Sequence, residues 1–265
     1  MNWKAVLGLL TCNVLFMSAS YTMLIPFLPL YLTSELGVAD ADVNLWAGTT
    51  FSVTFLISAV MAPIWGRIAD HSGKRLMAMR ASLLISISYF LAGVVTSPEQ
   101  LVLVRLFQGF AAGLWPMDLA IMTLYAPRER LGLALGIMQG TLTAGGVVGP
   151  LLGGVLADTF GMRMSFYIGG LALFINFLAF TFLIKEPPMP KDDTPLTAEE
   201  QNPWHLWHIP ILRTMMVVST LAQMVIFILQ PVITTYIKYL AGDMENIVLV
   251  AGIVFSLGGI AGAIA

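Results

Sequence analysis

Long apolar runs separated by short polar intervals organise the chain. They occupy about 5–32, 45–65, 77–96, 100–123, 132–157, 164–184 and 211–237, and an eighth starts near Ile247 and is still apolar at Ala265. A bilayer-crossing helix needs roughly 20 mainly apolar residues, so each run is predicted to be a membrane span, numbered 1 to 8 in chain order. The interval after span 6 is longer than the others and carries Pro187, Pro188, Pro190, Pro195 and Pro203 among the acids Glu186, Asp192, Asp193, Glu199 and Glu200. Such a segment buries too little apolar surface to fold alone and reads as a flexible linker. Its end, Trp204-His205-Leu206-Trp207-His208, is expected to lie on the membrane interface, where Trp prefers to sit. With no Cys or third ligand nearby, its histidines do not make a metal site. The pattern predicts an all-α polytopic membrane protein: a six-helix bundle over 1–184, a linker over 185–210, and the first two helices of a second bundle over 211–265.

The two parts share a register. Pro26, Tyr31 and Gly37 recur at the same offsets as Pro231, Tyr236 and Gly242, and Ala47-Gly48-Thr49-Thr50-Phe51-Ser52 is matched by Ala251-Gly252-Ile253-Val254-Phe255-Ser256. Spans 7 and 8 therefore read as a second copy of spans 1 and 2, the duplicated architecture of many transporters. Carried forward, the register puts the counterpart of Gly66 near position 270. The expectation is a longer protein with about four further helices and part of a fifth.

Composition agrees. The 265 residues are 58% hydrophobic and 11% charged, against about 25% charged in soluble domains. A net charge of −2 argues against a nucleic-acid partner. The single Cys12 lies in an apolar run and excludes a disulfide framework. The first run is longer than a signal peptide's apolar core and no cleavage site follows it. No nucleotide loop, metal cluster or nucleophile constellation supports an enzyme or a cofactor. Cations are segregated: Lys4, Arg67, Lys74, Arg75, Arg80, Arg128, Arg130, Lys185, Lys191 and Arg213 fall on one side, Arg163 and Lys238 on the other, and Arg105 within span 4. The positive-inside rule makes the N-terminus cytoplasmic.

The motifs are specific. The span 2–3 loop has Gly66, Asp70, Gly73, Lys74 and Arg75 at G-x-x-x-D-x-x-G-[RK]-[RK] spacing. Span 4 reads Leu101-x-x-x-Arg105-x-x-Gln108-Gly109-x-x-Ala112-Gly113, and span 5 reads Gly145-x-x-x-Gly149-Pro150-x-x-Gly153-Gly154. Phe160-Gly161-Met162-Arg163 with Phe166 opens span 6. In these features the chain resembles the major facilitator superfamily, and within it the twelve-helix bacterial drug:proton antiporters. The resemblance covers everything but the linker. It implies a multi-pass transporter of the bacterial inner membrane, a monomer at full length, driven by the proton gradient without a cofactor.

Each motif also has a reading of its own. Gly66 and Gly73 permit a tight turn and close helix approach. Asp70 is placed to accept N–H groups at a helix start, and Lys74 and Arg75 to anchor span 3 at an anionic leaflet. The loop is either a topology anchor or, as the resemblance implies, a latch on the opposite half. Arg105 is an intramembrane cation, hence a functional candidate. The resemblance implies proton coupling for it; the alternative is a structural Arg bonded to carbonyls of span 1. Span 1 lacks the membrane acid of several drug antiporters in this group. Asp118, the acid inside a span, lies about 20 Å along the helix from Arg105 and either carries the proton or reaches the interface beside Pro116; Asp70 or an acid beyond the chain are the other carriers. The small-residue face of span 5 is expected to pack on Ser256, Gly259 and Gly262 of span 8, with Pro150 shaping a bend.

Spans 1, 2, 4, 5, 7 and 8 are expected to line a cavity near the midplane. Its candidates are Asn13, Tyr21, Trp115, Met138, Gln139, Gln223, Phe227 and Gln230. A Met- and aromatic-rich lining with few charges suits varied lipophilic cargo exchanged for protons. An exporter of one metabolite, or a non-transporting membrane scaffold or sensor on the same fold, are the alternatives.

Overall fold

The structure, a computed structural model, describes residues 2–186, 209–241 and 247–264. The linker past Glu186, its Trp204–His208 end and Gly242 of the repeat lie outside the described residues.

Helices account for every predicted span, but two spans are broken. Span 1 is α1 (Trp3–Thr22), capped by the Asn2 side chain, and a short α2 (Leu28–Ser34). Pro26, which lacks an N–H, lies in the intervening break. The matching Pro231 does not interrupt its helix, so the repeat does not extend to the break. Spans 2 and 3 are α3 (Val43–Ser72) and α4 (Lys74–Val94), joined by Gly73 alone. Span 4 is α5 (Pro98–Ala111), capped by Ser97, followed by α6 (Leu114–Tyr125). A 3-10 turn at Arg128–Arg130 leads to α7 (Leu131–Phe160) and α8 (Met162–Phe182), spans 5 and 6. The last described helices are α9 (Pro210–Ala241) and α10 (Ile247–Ile264).

Five of these helices are long and apolar enough to cross a membrane, among the described residues: α1, α3, α4, α8 and α7 together with the turn before it. Broken span 4 falls below that length in each of its pieces.

The bundle is held by packing of α1 on α7 and α8, of α4 on α8, and of α3 on α5; α10 lies against α7. Side chains that hydrogen-bond a neighbouring helix's carbonyls stitch the bundle, since lipid offers no competing partner. Ser18 Oγ donates to Leu142 O at 2.6 Å, Ser86 Oγ to Gly170 O at 2.7 Å, and Tyr31 and Tyr89 hydroxyls to Ala92 O and Ser20 O, both at 3.0 Å. Away from the cation-rich end, Arg163 joins Glu35 at 2.9 Å and the carbonyls of Gly93 and Val95, tying the starts and ends of spans 1, 3 and 6.

Candidate transport cavity and gating loop

Arg105 and Gln108 lie one turn apart on α5, 5% and 6% exposed. Arg105 Nη1 donates to Gln108 Oε1 at 2.8 Å; Nε and Nη2 have no partner among the described residues. Arg105 thus does not bond the carbonyls of span 1, and two donors of its guanidinium fork are unused. The helix is pressed onto α3. A Cβ on Gly109 would meet Thr54 O at 2.5 Å and Ile57 Cβ at 3.0 Å, and Thr54 Oγ1 donates to Arg105 O at 3.2 Å.

Just past this pair span 4 breaks. Gly113, at φ +119°, takes a left-handed conformation that costs a glycine little. The carbonyls exposed by the break are not left bare. Trp65 Nε1 donates to Phe110 O at 2.8 Å and Arg80 Nη2 to Ala112 O at 2.9 Å, while the Arg80 guanidinium lies 3.7 Å from the Trp65 ring centroid. Arg80 was expected among the loop cations that set orientation. It instead reaches along the bundle, because the broken backbone needs a donor there and a guanidinium can satisfy it while stacking on an aromatic face.

The break opens on a cavity of about 240 Å³. Its walls are Met17, Ser18 and Tyr21 of span 1, Thr54, Phe55 and Ser58 of span 2, Ile85 and Tyr89 of span 3, Gln108 and residues 112–116 of span 4, Leu142 and Leu173. Of the predicted lining, Tyr21 and Trp115 are here. Asn13 is buried elsewhere, its carbonyl accepting from Asn176 Nδ2 at 2.9 Å. Met138 is wholly buried core and Gln139 is exposed. The side chains of Gln223, Phe227 and Gln230 lie outside the described residues. Spans 3 and 6, which were not expected there, contribute to the lining among the described residues. The cavity lies in the first bundle among the described residues, and the helix break, which hydropathy does not register, forms part of its wall. Gln108, Thr54 and Tyr89 were missed as lining; the signal for Gln108 was its one-turn spacing from Arg105.

Asp118 of α6 is 0% exposed, with neither carboxylate oxygen partnered among the described residues. It does not reach the interface and it is absent from the cavity wall.

At the cation-rich end, Gly66 is inside α3 with open space around it, so it takes no part in the turn. The turn is Gly73, at φ +97°. Asp70 does not accept N–H groups at a helix start. It lies in the last turns of α3, is 66% exposed, and pairs with Lys74. The acid at the start of α4 is Glu186, whose carboxylate accepts from Lys74 N at 2.8 Å and Arg75 N at 3.1 Å. The Arg75 guanidinium is turned onto α8. Its Nε and Nη2 donate to Phe180 O and Thr181 O at 2.8 and 2.6 Å, at the end of α8.

The span 5 motif serves two neighbours. A Cβ on Gly145 would meet Ser18 Cβ at 2.6 Å, one on Gly149 would overlap Thr22 Oγ1, and one on Gly153 would overlap Met23 O. That ridge of glycines packs on span 1, not on span 8. Span 8 sits on the adjoining face: a Cβ on Gly252 would meet Pro150 O at 2.5 Å and the Gly154 Cα at 3.3 Å, and Ser256 Oγ donates to Val147 O at 2.6 Å. Four-residue spacing puts the glycines at 145, 149 and 153 in one row, so one row meets one helix. The surroundings of Gly259 and Gly262 lie outside the described residues.

These features define a multi-pass membrane protein with a duplicated register and a polar pair buried in a broken helix. The chain belongs to the Major Facilitator Superfamily, whose family profile matches residues 10–265. It is similar to the "Multidrug resistance protein MdtG" of Dickeya zeae, 35% identical over 98% of this chain and 64% of that protein, and to that of Klebsiella pneumoniae, 34% identical over 98% and 63%. The chain thus spans less than two thirds of the length of these relatives. Among solved structures it is similar in fold to the nucleoside transporter NupG (TM-score 0.74, 19% identity, 100% of this chain and 66% of that one). It is likewise similar to the D-xylose-proton symporter (TM-score 0.68, 12% identity, 100% and 68%).

Proposed function

We propose that this chain is the first bundle and the start of the second in a bacterial inner-membrane exporter of lipophilic compounds, exchanging them for protons by alternating access. The cation-rich end with the N-terminus is cytoplasmic. The observation that carries this reading is the cavity at the span 4 break, walled by Met17, Tyr21, Phe55, Tyr89 and Trp115, with the Arg105–Gln108 pair beside it. Flat aromatic and flexible thioether groups accept many apolar shapes, and Gln108 offers an amide to cargo. A volume of about 240 Å³ is below the roughly 300 Å³ at which drug-sized pockets begin, which fits a site whose other wall is the second bundle. The unused donors of Arg105 give the coupling: they stabilise an anionic or water-borne acceptor in one protonation state and release it in the other. Asp118, Asp70 and acids of the second bundle are the candidate carriers. The named relatives are drug-resistance proteins, which favours broad cargo over a single metabolite.

The test is ethidium efflux by full-length protein in everted vesicles. Accumulation that collapses with a protonophore and is abolished in Arg105→Ala is the expected result; ethidium transport that ignores the proton gradient contradicts antiport.

A further inference from the structure

We propose that Glu186, at the start of the linker, is the positioning residue of the gating loop, locking the start of α4 to the end of α8 so that Asp70 is not drawn into the helix cap. This rests on the gating role read for the loop.

Three observations converge. A Cβ on Gly73 would lie 2.8 Å from both Cδ and Oε1 of Glu186, so the carboxylate fills the space that glycine's missing side chain leaves. In that space it accepts the amide hydrogens of Lys74 and Arg75 at 2.8 and 3.1 Å, donors at a helix start that have no partner within the helix. An anion there also faces the positive end of the α4 dipole. The return contact is of opposite sign: Arg75 donates to the last carbonyls of α8, Phe180 O and Thr181 O, where a cation is favoured. Each of the two helix ends is thus capped by the other's charged residue. The preceding residue is pinned as well, Lys185 O accepting from the Tyr125 hydroxyl at 2.8 Å at the end of span 4.

The consequence is a division of labour between two acids. Since Glu186 satisfies the helix start, Asp70 is left 66% exposed and held only by Lys74, available to a group on the opposite half.

Hydrogen–deuterium exchange of the full-length protein reads the lock without requiring transport. Glu186→Ala is expected to raise exchange of the Lys74 and Arg75 amides about tenfold or more, with α7 peptides unchanged. Glu186→Gln, which keeps one acceptor oxygen, is expected to raise it less. Gly73→Ala should release the same two amides with Glu186 in place, because the new Cβ evicts the carboxylate. In vesicles, Glu186→Ala is expected to lower the maximal ethidium efflux rate several-fold and leave the half-saturating concentration unchanged, since the cavity is untouched. Unchanged exchange at 74–75, or a rise spread equally over all six spans, overturns the lock. Local release with ethidium efflux absent even from wild type keeps the lock and refutes the transport reading instead.

Discussion

At the scale of single residues, the span 5 glycines show what a membrane bundle asks of a side chain. Association of helices in lipid is driven by packing, so a backbone that must come close carries no Cβ on the contact row. A Cβ on Gly149 would overlap the Thr22 hydroxyl and lie 2.7 Å from Ala19 O, whereas the space a Cβ on Gly146 would enter is open. Gly149→Ala is therefore expected to destabilise the bundle by about 1–3 kcal/mol through overpacking. Gly146→Ala is expected to be neutral or stabilising by up to about 1 kcal/mol, since alanine is the better helix former. Thermal unfolding of the two variants in detergent measures the difference; equal midpoints would contradict the two-faced reading of the motif. Arg105 follows a different logic. It is 5% exposed with donors to spare, which packing does not explain and which is the ground for the proposed coupling role.

At the scale of elements, the break in span 4 forms part of the wall of the site. A break without donors would leave carbonyls unsatisfied in an apolar layer, each at several kcal/mol by order of magnitude. Arg80 and Trp65 resolve this by reaching across from spans 3 and 2. Arg80→Ala is expected to cost about 1–3 kcal/mol, from the bond to Ala112 O and the stacking on Trp65. Arg80→Lys should recover only part of it, because an ammonium cannot donate and stack as the planar fork does. Chemical unfolding midpoints of both variants test this, and a silent Arg80→Ala would mean that the break is not held by Arg80. The same element shows why sequence reading stopped short. Apolar runs revealed that span 4 exists, and its motif brought Arg105, Gln108 and Gly113 into view. Nothing in hydropathy distinguishes a straight span from one interrupted by a single left-handed glycine. Arg80 counted as one more cation at a membrane edge, since its value lies in where its long side chain ends.

At the scale of the molecule, the helical class and the order of the spans were legible, because roughly 20 apolar residues in a row allow few other structures, whereas the division of spans 1 and 4 into two helices each was not. The family was legible from ordered motifs that the profile match over residues 10–265 supports. The partition of the loop's work was not. Asp70 and Glu186 are both acids near a glycine turn, and only their placement shows that Glu186 caps α4 while Asp70 stays exposed. The cavity's true walls were equally hidden, since span 3 and span 6 residues enter it from distant parts of the chain. The proposed function joins these features: a cavity in the first bundle walled in part by Gln108, with Arg105 hydrogen-bonded to that residue, would take cargo and proton in turn. The most direct measurement is proton release from full-length protein in weakly buffered detergent, followed with a pH indicator as ethidium is added. Wild type is expected to release protons in proportion to ethidium bound and Arg105→Ala to release none. Saturable ethidium binding without proton release, or release undiminished in Arg105→Ala, would contradict the account.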